Sequence, residues 1–75
     1  MLHKLYYQEV EDCYRLTFRD SVLKKTGVTK QTFYRWVNGE TRPSKLEQAV
    51  IIKAYNKTKA PHLPEQTVEQ VFSNQ

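Results

Sequence analysis

Cys13 is the only cysteine in a chain of 75 residues, so the staple most often used by domains this small is missing. No intrachain disulfide can form. His3 and His62 are the only other soft ligands, and no C-x-x-C or H-x-x-x-H spacing joins them. A four-ligand structural zinc site is therefore excluded. A domain of this size buries only about 60% of the surface its unfolded chain exposes. What remains is compact helical packing or self-association.

Two glycines and three prolines are too few for a low-complexity or disordered chain. The longest purely apolar run, residues 49–52, is far short of the ~20 residues that span a bilayer. The N-terminal residues carry no signal-peptide h-region. The expectation is a cytoplasmic protein without a membrane partner.

The net charge of +4 is unevenly spread. Residues 1–14 sum to −2 (Lys4 against Glu9, Glu11 and Asp12), and residues 46–75 sum to zero. The central segment, 15–45, carries Arg15, Arg19, Lys24, Lys25, Lys30, Arg35, Arg42 and Lys45 against Asp20 and Glu40 alone, a net +6. A basic excess gathered in one segment is the electrostatic footprint of a polyanion site. A mildly basic solvated surface is the alternative.

Apolar periodicity predicts an all-α fold, a four- to five-helix bundle. The first helix is expected over residues 2–16, with Leu2, Leu5, Tyr6, Val10, Cys13 and Leu16 on one face. Glu9 falls inside that face, at its exposed end or paired with a cation from another helix. A second helix is expected over 17–26. Thr17 and Asp20 form its cap, and Phe18, Val22 and Leu23 point inward. Gly27 ends it in the left-handed conformation. Thr29 caps a third helix, over 29–38, closed by Gly39. Ser44 and Glu47 form a capping box for a fourth, over 44–57, the most apolar of the set. Val68, Val71 and Phe72 have the spacing of a short fifth helix over 64–73, and a frayed tail is the alternative. The division expected is 1–58 as the functional domain and 59–75 as linker and terminal helix.

On the third helix Phe33, Trp36 and Val37 define the buried side. Gln31, Arg35 and Asn38 form an outward stripe, with Lys30 at its N-terminal end. An amide and a guanidinium make bidentate contacts to adenine and guanine edges in the major groove. A helix presented N-terminus first, across a short turn from a supporting helix, is the docking geometry for such contacts.

The run from Leu23 to Gly39, followed by Arg42 and Pro43, resembles the phage repressor and Cro type of helix-turn-helix domain. Gly27 matches that family's turn glycine and Val28 the apolar residue after it. Phe33 and Trp36 match the inward pair of the recognition helix. Asn38 and Gly39 match its end, and Arg42, Pro43 and Ser44 the approach to the next helix. The likeness covers roughly residues 1–57 and is sharpest over 17–46. Two features depart from the pattern: Leu23 stands where the family usually has a small residue, and the recognition helix is unusually aromatic.

The resemblance implies a sequence-specific duplex DNA-binding protein, a small phage or bacterial transcription regulator. Lys30, Gln31 and Arg35 match the base-reading positions, and Tyr34 would join them through a sugar or a thymine methyl. Arg19, Thr29, Asn38, Thr41 and Arg42 match phosphate contacts. A homodimer on a palindromic site is implied by the short reach of one helix. Leu63, Val68, Val71 and Phe72 would form the dimer surface or else close the monomer's own core. The competing expectation is an adaptor acting through protein contacts, antitoxin-like or a phage accessory protein. It would be favoured by an exposed aromatic patch of Tyr6, Tyr7, Tyr34 and Trp36. Ser21, Ser44, Cys13, His3 and His62 are isolated in sequence, so no enzyme, cofactor, metal or small-molecule substrate is expected.

Overall fold

Packing of five helices around one core organises the computed structural model, which describes residues 2–72. The helices are α1 (Leu2–Lys4), α2 (Arg15–Thr26), α3 (Lys30–Val37), α4 (Lys45–Thr58) and α5 (Val68–Phe72). No strand is formed among the described residues, only one antiparallel bridge between Val10 and Lys59. None of these helices is long and apolar enough to cross a membrane.

The first predicted helix is the one that differs most. It does not run to residue 16. From α1 the chain passes into a π-helical turn, Leu5–Glu9, closed by the Val10 amide on the Leu5 carbonyl at 3.0 Å. Val10 is extended (φ −81°, ψ 132°) and pairs with Lys59 just beyond α4. A 3₁₀ turn, Asp12–Tyr14, then leads into α2. The break has a packing cause. It keeps Leu2, Leu5, Tyr6 and Val10 buried while freeing the chain to turn back over the bundle. Cys13 and Leu16, expected on the same apolar face, are exposed.

Helix α2 starts two residues earlier than expected. Tyr14 stands at its N-cap position without a side-chain cap bond, so Thr17 and Asp20 lie inside the helix and do not cap it. Phe18 and Val22 are buried and Leu23 is half-buried against the core. Gly27 ends α2 at φ 75°, its amide donating to the Leu23 carbonyl at 2.8 Å. A side chain there would hold a strained backbone.

Thr29 caps α3, its Oγ1 accepting from the Thr32 amide at 3.2 Å. Ser44 and Glu47 form the reciprocal capping box of α4, at 3.2 and 2.8 Å. Helix α4 buries Ile51, Ile52, Ala54 and Tyr55 together with Gln48, whose Nε2 donates to the Pro43 carbonyl at 3.0 Å. Leu46 at its start is 83% exposed. Residues 64–67 are not helical, α5 begins at Val68, and residue 73 lies outside the described residues. Asn56 holds the approach to α5, with both amide atoms bonded to the Gln66 backbone at 2.9 and 3.0 Å. Val71 and Phe72 are buried in the same core as Tyr6, Phe18, Phe33 and Tyr55. Val71 and Phe72, with Val68 packed against them, close their own chain's core, whereas Leu63 is half-buried outside it.

Candidate nucleic-acid interface

Helix α3 is locked by one face and open on the other. Phe33, Trp36 and Val37 are buried. Phe33 meets Tyr6, Phe18 and Trp36 with ring centroids 5.3, 6.2 and 6.5 Å away. Aromatic contacts of this kind fix the helix's rotation about its axis. The opposite face carries Gln31 and Arg35, with Lys30 to one side in the first turn; all three are exposed, and none makes a side-chain hydrogen bond or ion pair among the described residues. Asn38 follows at the C-cap, also exposed.

Beyond α3 the chain curls back on the helix end. Gly39 is left-handed (φ 79°), and the amides of Glu40 and Thr41 both point to the Arg35 carbonyl, at 2.9 and 3.4 Å. Thr41 and Arg42 are exposed on this loop. The Arg42 guanidinium is anchored, with Nη2 donating to the Phe72 carbonyl at 3.2 Å. The loop and the terminal helix are thus tied together.

The Thr29 hydroxyl is engaged in capping and also faces the Thr32 hydroxyl at 3.2 Å. Arg19 lies in α2 with its side chain 15% exposed. Its Nε and Nη2 donate to Asp20 Oδ1 at 3.1 and 3.0 Å, and its Nη1 donates to the Tyr34 hydroxyl at 3.2 Å. Tyr34 is half-buried, and its hydroxyl stands 3.5 Å from that of Tyr6. These contacts set the two phenols apart. Burial, then the bond to Tyr34, raises the Tyr6 pKa, whereas the Tyr6 hydroxyl and the Arg19 guanidinium lower that of Tyr34. Lys30 adds to the lowering. The oxygen of Tyr34 accepts from Arg19, and either phenol can donate in the contact with Tyr6.

Arg15 has a role that the sequence did not reveal. Its Nε donates to the Tyr6 carbonyl at 3.2 Å and its Nη2 to the Tyr7 carbonyl at 3.0 Å, while it pairs with Asp12. It satisfies carbonyls left open where the π turn ends. A continuous first helix would have pointed it to solvent; only the break at Val10 turns it inward.

The structure thus leaves Gln31 and Arg35 exposed on one face of α3, with Lys30 exposed at its first turn, Asn38, Thr41 and Arg42 beyond its C-terminal end, and Arg19 within α2 where its side chain meets Tyr34. No protein-family model matches the chain, and no curated protein or solved structure matches it significantly.

Proposed function

We propose that this chain is a sequence-specific duplex DNA-binding protein, a small phage or bacterial transcription regulator that lays α3 in the major groove. The observation that carries the reading is the exposed set of Lys30, Gln31 and Arg35 on a helix whose other face is fixed in the core. Groups that read base edges must be free of partners in the unbound protein and rigidly presented. An amide and a guanidinium on one face suit adenine and guanine. The net +6 of residues 15–45 supports the same reading, because phosphate neutralisation supplies most non-specific affinity. Asn38, Thr41 and Arg42 would set register on the backbone. In this proposal the protein acts as a homodimer on a palindromic site, through a surface other than the buried Val71 and Phe72.

The adaptor reading draws less support. Of the four aromatics that would form its patch, Tyr6 and Trp36 are buried, Tyr34 is half-buried, and only Tyr7 is exposed.

Selection of bound duplexes from a random library tests the proposal. A single enriched motif is expected. Arg35→Ala should lower affinity for it about tenfold or more and relax preference at one position. An unenriched library, or an Arg35→Ala protein with unchanged affinity and preference, would contradict it.

A further inference from the structure

Tyr34 sits on the helix proposed to read bases, yet its polar atom faces the protein. Its hydroxyl is 3.2 Å from Arg19 Nη1 and 3.5 Å from the Tyr6 hydroxyl. Its ring meets Phe33 edge-on at 5.5 Å and Tyr6 at 6.2 Å. Arg19 is the only described partner of Tyr34 that carries a charge within hydrogen-bond reach. We propose that Tyr34 is a positioning residue and not a base reader: its hydroxyl fixes the Arg19 guanidinium at the α2–α3 junction as a phosphate clamp. This inference rests on the DNA-binding reading.

The donor count of Arg19 fits that role. A guanidinium has five N–H groups in a rigid fork. One on Nη1 is held by the Tyr34 oxygen; Nε and one on Nη2 lean on Asp20. One N–H on each terminal nitrogen remains. The Asp20 carboxylate is 62% exposed, so its pair with Arg19 contributes little stability. A phosphate oxygen can take its place, since the fork that accepts a carboxylate also accepts a phosphate. The phenol contact is different. It is shielded, neutral and directed from a second helix. It keeps the guanidinium aimed when Asp20 lets go, and so reduces the ordering cost of binding.

The test is fluorescence anisotropy with a labelled mixed-sequence duplex over a salt series. The proteins are wild type, Tyr34→Phe, Arg19→Ala and the double variant, each checked for folding by circular dichroism. Tyr34→Phe keeps the ring and removes the hydroxyl. It should weaken binding about three- to tenfold and shift the log–log salt slope by about one phosphate, as should Arg19→Ala. The double variant should bind no worse than Arg19→Ala alone. Unchanged binding by Tyr34→Phe would overturn the inference. Additive losses would do so too, because they would mean that Tyr34 meets DNA by itself. If Tyr34→Phe does not fold, Arg19→Ala carries the test: a salt slope reduced by about one phosphate supports the clamp, and an unchanged slope overturns it. A wild-type protein that binds no duplex at low salt overturns both this inference and the DNA-binding reading. A failure confined to the variants leaves that reading standing.

Discussion

Phe72 is the residue on which the placement of the tail depends. It is 2% exposed in α5, beside Val71 at 3%, inside the core built by the first seventy residues. Replacing a buried phenylalanine with alanine removes its transfer free energy and leaves a cavity, together about 3–5 kcal/mol. A 75-residue domain has about 4–11 kcal/mol of total stability. Phe72→Ala should therefore remove between about a quarter and all of it. In urea, with the shallow slope of a small domain, the midpoint should fall by roughly 2–4 M. Far-UV circular dichroism at two widely separated protein concentrations is the assay. The loss should be the same at both, because the side chain is buried by its own chain. A dimer-forming Phe72 would make the midpoint rise with concentration. A loss below about 1 kcal/mol, or a loss that differs between the two concentrations, would refute the packing described.

The buried Tyr55 hydroxyl lies beside the Glu9 carboxylate but has no partner in good hydrogen-bond geometry among the described residues. Tyr55→Phe should therefore leave stability unchanged or raise it by about 1 kcal/mol, and a loss of that size in a urea melt would mean that the hydroxyl is bonded. Alkaline pH should weaken the fold. Burial raises the Tyr55 pKa, with help from the nearby Glu9 charge, and burial also raises that of Tyr6. For such groups the native state favours the neutral phenol, so their stabilising contribution is full below the ordinary value of about 10 and is lost as pH rises through the folded values. Tyr34 is lowered and should ionise ahead of Tyr6 and Tyr55. Absorbance titration of the phenolate band, with Tyr34→Phe, Tyr6→Phe and Tyr55→Phe to assign the steps, should place Tyr34 early and the other two late, with unfolding. Tyr34 ionising together with Tyr6 and Tyr55 in the intact protein would contradict this.

Cap chemistry was the legible part of the sequence. Gly27, Thr29, Ser44 and Glu47 act on backbone groups within four residues, so their meaning does not depend on the rest of the fold. The face of α3 was legible for the same reason: Phe33, Trp36 and Val37 share a side of any helix that contains them, and all three are buried. The break at Val10 was not legible, because Val10 packs in the core and pairs with Lys59, partners far along the chain. The differences at Cys13, Leu16, Thr17 and Asp20 all go with that break, since the first helix ends early and α2 starts at Arg15. The side-chain work of Arg15, Arg19 and Tyr34 was hidden in the same way. Charge and aromaticity mark such residues as candidates for binding, and only the packing of α2 and α3 on the N-terminal turn reveals that Arg15 meets backbone carbonyls and that Arg19 meets Tyr34.

The central claim is that α3 and its basic surroundings bind duplex DNA. Titration of the wild-type chain against a labelled duplex, repeated across a salt series, tests it most directly. The account predicts tight binding at low salt and a steep log–log loss of affinity as salt rises, with a slope that corresponds to several phosphate contacts. Absence of binding at low salt, or an affinity indifferent to salt, would contradict it.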